Sequence, residues 1–288
     1  MTLCDQVDRA RQRLLQAGIS AHGARLDAEV LARHVLGWDR ATWLSRQRES
    51  APPGFTERYQ EALGRRARRE PVAFIIGSRE FWGLEFEVSP AVLIPRPETE
   101  LIIEEALAAC AGGAPPSRVV DVGTGSGCLT VALAREFPAA HVTSIDVSRA
   151  ALEVARRNAG RHGVADRIRF VQASLLTALH GPVDLVVSNP PYVPDAAVRV
   201  LHAEVRDHEP HVALRGGEDG LDLLRRLVNQ AAACLRPDGL LIIEFGAGQE
   251  EAVREAVTRA AGLAIVNVRS DLQDIARVMV ARRAPSAS

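Results

Sequence analysis

No lysine occurs among the 288 residues, and all 35 basic side chains are arginine, as a genome biased toward GC-rich codons would produce. Arginine clusters therefore carry little weight. The densest, Arg65-Arg66-Ala67-Arg68-Arg69, is expected to be a solvated helix end, where cations suit the macrodipole, or a contact to an acidic partner. A dominant charge sign is missing too: the net charge is −1, which gives no whole-chain field of the kind that drives tight association with nucleic acid or membranes. The four cysteines, Cys4, Cys110, Cys128 and Cys234, stand far apart without CxxC or Cys/His spacing. That argues against a zinc site and a disulfide framework; no metal is expected. No apolar run approaches membrane-spanning length, and Asp5, Asp8, Arg9 and Arg11 stand where a signal peptide would be apolar, so a cytoplasmic protein is expected.

Hydrophobic residues make up 47% of a chain longer than one core usually needs, which suggests two domains. Residues 1–72 show only helical periodicity, with stripes at Leu3, Val7, Leu14 and Leu15 and at Ala28, Leu31, Val35 and Leu36, and read as a small helical bundle. In residues 73–97 the period changes to two, with Leu84, Phe86 and Val88 alternating with Glu85 and Glu87. A β-hairpin linker is expected there, with Val92–Ile94 as the partner strand. Residues 98–288 alternate short apolar strands with helices: 119–122, 141–146, 168–172, 183–188, 240–245, 264–268 and 276–282. This pattern predicts an α/β fold with a doubly wound, mostly parallel, Rossmann-like sheet. A turn at Pro237-Asp238-Gly239 precedes 240–245, and the tail Ala284 to Ser288 is expected to be disordered.

Strand 119–122 runs into Gly123-Thr124-Gly125-Ser126-Gly127 and then a helix. Glycines there permit a tight turn and close approach of a ligand to the backbone at the carboxyl edge of the sheet. A dinucleotide fingerprint needs its third glycine one place later, where Cys128 stands, so the loop fits a nicotinamide cofactor poorly. Asp146 ends the next strand about twenty residues on, placed to accept from both ribose hydroxyls of a nucleoside. Two plainer roles compete: Asp146 as a cap for the helix near Ser148, and Asp121 as a brace for the glycine turn.

Directly after the strand ending at Ser188 comes Asn189-Pro190-Pro191-Tyr192. The prolines fix φ and remove two backbone donors, so the segment presents carbonyl acceptors without competing N–H groups. Asn189 Oδ1 and a neighbouring main-chain carbonyl can then take both N–H groups of one planar nitrogen, while Tyr192 stacks on its plane. Downstream of the glycine loop and the acidic strand end, this tetrapeptide points to N-methylation. No Ser/His/Asp set, paired acids or GK[ST] loop supplies hydrolase or kinase machinery.

The sequence closely resembles the release-factor glutamine methyltransferases of the HemK/PrmC type over nearly its whole length. The likeness is carried by Pro71–Gly77, Glu80–Leu84, Leu93–Glu100, Asn189–Tyr192, Glu209-Pro210, Gly217–Leu221 and Asp27-Ala28-Glu29. The resemblance implies methyl transfer from S-adenosylmethionine to the side-chain nitrogen of the GGQ glutamine of class 1 peptide-chain release factors. It places Asp121, Gly123 to Gly127, Asp146 and Asn189 around the cofactor and the glutamine on Asn189, Pro190, Pro191 and Tyr192, with Asn189, Pro190 and Tyr192 as catalytic residues. Residues 1–72 become a substrate-recognition domain and residues 98–288 the cofactor-binding catalytic domain. Two departures stand out: Phe74 replaces the usual tyrosine, and Ala173-Ser174 replaces the usual acidic residue after the third strand. Adenine is then left to Ser174, Leu175 and main chain.

A nucleic-acid amino-methyltransferase shares the proline loop but needs a basic groove. Residues 1–75 hold 13 Arg against 9 acidic side chains and the rest 22 against 27, so direct nucleic-acid binding is not expected. A ribosomal-protein glutamine methyltransferase is the nearer rival, and Pro97-Glu98-Thr99-Glu100 leans toward the release-factor type.

Overall fold

A computed structural model describes residues 1–285, and the chain divides into two units: Met1–Gly77 with His202–His208, and Ser78–Leu201 with Glu209 onward.

The first unit is helical: α1 (Leu3–Gln16), α2 (Ala21–Leu36), α3 (Arg40–Arg46), α4 (Phe55–Ala67) and α5 (Val72–Ile76), with α9 (Ala203–His208) from much later in the chain. Thr2 and Asp5 form a reciprocal capping box that satisfies two orphan donors at the start of α1. The apolar stripes converge on a core of Leu3, Leu14, Leu31, Trp43, Phe55, Tyr59 and Leu63. Each buried leucine there contributes about 1.5–3 kcal/mol. Tyr59 keeps its hydroxyl satisfied by donating to Ala28 O at 2.8 Å. The arginine cluster departs from the expectation of a solvated end or an external partner. Arg66 is buried and reaches Asp27 at 2.6 Å and Glu204 at 2.8 Å, while Arg65 pairs with Glu70. Its acidic partners lie within the unit, because a buried guanidinium requires compensating carboxylates.

The second unit opens with a hairpin of β1 (Ser78–Phe81) and β2 (Leu84–Glu87), turning through Trp82-Gly83. The alternation at Leu84–Glu87 is thus a strand, but its partner precedes it, and Val92–Ile94 forms no strand. The Ile94 N–H donates to the Glu209 side chain instead of to a ladder. After α6 (Glu100–Cys110) come β3 (Arg118–Val122), α7 (Cys128–Glu136), β4 (His141–Asp146), α8 (Arg149–Arg161), β5 (Ile168–Gln172) and β6 (Val183–Ser188). Beyond α9 follow α10 (Asp222–Cys234), β7 (Leu235–Glu244), α11 (Glu250–Arg259), β8 (Leu263–Ser270) and β9 (Ala276–Arg283). The seven-stranded sheet has the order β5-β4-β3-β6-β7-β9-β8, parallel through β7 and antiparallel at β9 and β8.

Alternate residues of each strand enter opposite cores. Val119, Leu185 and Ile242 pack with α6 and α7, whereas Val120, Val186, Leu241 and Ile243 pack with α10 and α11. Burial on both faces explains why these strands read as unbroken apolar runs. Strand β7 starts earlier than expected, because Leu235 pairs with Val183 before the register jumps to Leu185 opposite Leu240. The Pro237-Asp238-Gly239 turn survives as the bulge between those pairs, with Asp238 at φ 63°. At the tail, Ala284 N–H still donates to Gly262 O at 2.8 Å, and Ser286–Ser288 lie outside the described residues.

Among the described residues no helix is long and apolar enough to cross a membrane. The chain leaves β3 toward β4 on one side, and β6 returns on the other. Such a switch point opens a crevice at the carboxyl ends of parallel strands.

Candidate active site

That crevice encloses about 820 Å³ including its open mouth and is walled by the loops after β3, β4, β5 and β6. The first loop is pinned by Gly123 N–H and Thr124 N–H, both donating to Ile145 O. Beneath it the fully buried Asp121 accepts from Thr124 Oγ1 at 2.8 Å and Thr130 Oγ1 at 2.6 Å. Its second oxygen has no partner among the described residues, and burial pushes its pKa up to about 6. Gly127 starts α7 at φ 80°, and a Cβ there would stand 2.9 Å from Ala155 Cβ. The third glycine thus allows α7 and α8 to approach.

Asp146 reaches the crevice from the end of β4. Its Oδ2 accepts from Gly125 N at 3.0 Å and its Oδ1 from Ser148 N at 2.8 Å, and burial raises its pKa. Ser148, not Asp146, caps α8, by accepting from Ala151 N. Across the opening lie Ala173, Ser174 and Leu175. Leu175 has φ 53°, a strained conformation for a branched side chain at a pocket wall.

Asn189 follows β6, whose last residue Ser188 donates to Val122 O at 2.7 Å. Asn189 Nδ2 donates to Thr99 Oγ1 at 2.9 Å, and Thr99 Oγ1 donates to Glu244 Oε2 at 2.6 Å. Tyr192 OH donates to Glu244 Oε1 at 3.2 Å. Glu244 is buried at the end of β7, and desolvation pushes its pKa up to about 7. The loop is held from below as well: Gln249 Nε2 donates to Tyr192 O, Val193 N to Leu214 O and Gly216 N to Val193 O. Any Cβ on Gly216 or Gly220 would overlap backbone oxygens of this segment.

Of the residues singled out above, Gly123, Gly125, Asp146, Ser174, Leu175, Asn189, Pro190 and Pro191 line the crevice. Asp121, Thr124, Ser126, Gly127 and Tyr192 stand behind it. Thr99, Glu244 and Glu209 were not foreseen as site residues. A carboxylate ending the apolar strand Leu240–Ile243 was the available signal for Glu244, since an acid in such a run needs a partner.

Residues 5–77 match the family described as the PrmC N-terminal domain and residues 99–207 the methyltransferase small domain. A release factor glutamine methyltransferase of Bradyrhizobium diazoefficiens is 44% identical over 264 residues, covering 91% of this chain and 89% of that protein. The protein of the same name from Cereibacter sphaeroides is 44% identical over 282 residues, covering 98% and 99%. Among solved structures, a ribosomal protein L11 methylase from Lactobacillus delbrueckii aligns with TM-score 0.51 at 21% identity, covering 68% of this chain and 84% of that one. A 16S rRNA N2 G1207 methyltransferase of T. thermophilus, in complex with AdoMet and guanosine, aligns with TM-score 0.51 at 22% identity, covering 72% and 49%. These two likenesses establish the fold. Fold and matched domains together define a methyltransferase. The chain belongs to the release factor glutamine methyltransferase family.

Proposed function

We propose that this protein transfers a methyl group from S-adenosylmethionine to the side-chain amide nitrogen of the GGQ glutamine of class 1 release factors. The observation that carries this reading is Asn189. Its Nδ2 is committed to Thr99, and its Oδ1 takes no hydrogen bond from the described residues at the rim of the crevice.

The crevice suits the cofactor by position, since open α/β sheets bind ligands at the carboxyl ends of the strands beside a switch point. Gly123 and Gly125 bring bare backbone to its floor, and Asp146 offers a carboxylate whose oxygens each retain lone pairs for ribose hydroxyls. Ser174 and Leu175 would flank the base, and Asp121, Thr124, Ser126 and Gly127 would support the loop from behind. When bound, S-adenosylmethionine supplies an electrophilic methyl on a sulfonium sulfur.

The protein's part is to orient a poor nucleophile, because an amide lone pair is delocalised into its carbonyl. Asn189 Oδ1 accepts one N–H of the glutamine. The Tyr192 carbonyl is already bonded to Gln249, so a main-chain carbonyl of the proline pair in the crevice wall, Pro190 or Pro191, would accept the other N–H. Held by both, the nitrogen faces the methyl group; as the C–N bond forms the methyl–sulfur bond would break, the sulfur leaving as a neutral thioether and one nitrogen proton passing to water. Tyr192 does not line the crevice but is anchored on Glu244 through its hydroxyl, from where its ring would back the amide plane.

Residues 1–72 would recognise the body of the release factor, since a three-residue loop offers too little surface for a standard specific interface. The enzyme would act in the cytoplasm without binding nucleic acid directly. The test is mass spectrometry of the GGQ peptide after incubating purified release factor with the protein and S-adenosylmethionine. A single-methyl increase on the glutamine is expected; an unmodified peptide beside a methylated ribosomal protein would sink the reading.

A further inference from the structure

Two side chains from distant parts of the sequence, Thr99 and Glu244, leave Asn189 one orientation of its amide. A hydroxyl has one proton to give. The Thr99 hydroxyl gives its proton to the buried Glu244 carboxylate at 2.6 Å, so toward Asn189, 2.9 Å away, it can only accept. The group facing it must be the donor Nδ2, and Oδ1 is therefore turned outward. Tyr192 completes the set by donating its own proton to the other Glu244 oxygen. We infer that Thr99 and Glu244 are positioning residues that set the side-chain amide of Asn189 with its oxygen toward the substrate nitrogen. This inference rests on the function proposed above.

The arrangement has a polarity that can be reversed. If Glu244 takes up a proton on Oε2, that oxygen becomes a donor to Thr99, and the Thr99 proton turns toward Asn189. The amide then has to turn over and present Nδ2 to the crevice. A donor there repels a substrate N–H, so lowering the pH converts part of the enzyme to an unproductive form. The charged and titratable groups around Glu244 act as follows: Glu98 favours protonation, Arg277 opposes it, and Tyr192 and the buried thiol of Cys128 stay neutral, both pushed upward by burial. Burial dominates and places the Glu244 pKa at about 7, where a modest change in pH alters the population. The methyl-transfer rate should therefore rise with pH through this region.

The chain contains four asparagines, Asn158, Asn189, Asn229 and Asn267, so selective side-chain 15N labelling yields four amide pairs, assigned by Asn189→Asp. In cofactor-free protein the Asn189 pair should shift with pH near 7. Thr99→Val should displace that pair, and Glu244→Gln should abolish its pH dependence. In single-turnover transfer to release factor at saturating cofactor, Thr99→Val should be slowed roughly 10- to 100-fold, as expected for a misoriented reacting group. Cofactor affinity should be unchanged, Thr99→Ser should restore the rate, and Glu244→Gln should lose the pH inflection. Resonances that ignore both Thr99→Val and pH overturn the inference, as does a Thr99→Val rate within twofold of wild type. The amide signals are read without substrate. A wild-type protein that shows these shifts yet fails to methylate the GGQ glutamine removes the functional reading alone. Normal methylation with unmoved signals removes the positioning role alone.

Discussion

Glu209 and Arg96 form an ion pair at 2.5 Å, with the Glu209 side chain buried and its second oxygen accepting from Ile94 N at 3.2 Å. This carboxylate fastens the 91–96 segment, one wall of the crevice, to the chain that runs on through Pro210 and Ala213 on the same wall. Removing Arg96 leaves a buried charge with one backbone partner. Arg96→Ala is expected to lower stability by about 3 kcal/mol, near the low end for a broken buried pair because Arg96 is partly exposed. Denaturant unfolding checks this, and a loss below about 0.5 kcal/mol would show that the wall holds without the pair.

At Gly127 the limit is space. A methyl group there meets Ala155 Cβ at 2.9 Å, and φ 80° disfavours any side chain. Gly127→Ala should cost about 2–4 kcal/mol, combining overpacking with a left-handed backbone. Adding Ala155→Gly should recover only part of the overpacking cost, since Ala155 Cα still lies 3.1 Å from that position. Full recovery in the double variant would mean that the backbone conformation is free of strain.

Asp146→Ala removes a carboxylate whose two oxygens bind Gly125 N and Ser148 N and, in the proposed function, the ribose hydroxyls. S-adenosylmethionine affinity should fall by roughly 1–3 kcal/mol as those groups lose their acceptor. Calorimetric titration decides the matter, with unchanged affinity confining Asp146 to bracing the loop.

Asp121 gives stability a pH dependence. Its folded pKa of about 6 exceeds the ordinary 3.8, so between these values the folded chain keeps a proton that the unfolded chain has lost. The contribution is fully present below the unfolded value and declines as pH rises toward the folded one. Asp121→Asn removes this slope. Between about pH 4 and pH 7 the stability of the variant relative to wild type should improve by about 3 kcal/mol. A constant difference across that range would mean that Asp121 titrates normally.

Asn189→Leu keeps approximate size and deletes the acceptor. Turnover on release factor should drop about 10²- to 10³-fold, by analogy with loss of one preorganised polar group, while cofactor affinity falls less. Both are measured on one sample by single-turnover transfer and cofactor titration. A near-normal rate would reduce Asn189 to a turn residue.

Local sequence determined the elements and the motifs that open onto the crevice. Alternating strands and helices from Arg118 onward announced the sheet, because parallel strands buried on both faces must be apolar throughout. The loop Gly123–Gly127, Asp146 and Asn189–Tyr192 were legible because each depends on a short constraint: a tight turn, a strand end, two fixed φ angles. Only the tertiary structure decided what holds them. The hairpin strand Leu84–Glu87 pairs with Ser78–Phe81 and not with Val92–Ile94, a choice that alternation leaves open because it reports which face is buried, not which neighbour pairs. Arg66 looked like a surface cation until Asp27 and Glu204 were brought to it across 39 and 138 residues. An acid ending an apolar strand marks Glu244 as needing a partner, but nothing local points to Thr99, 145 residues away. A hydrogen bond between such residues exists only after the sheet and α6 have assembled. The orientation of the Asn189 amide is set by that assembly, since a side-chain amide can turn over unless a committed partner fixes which end accepts.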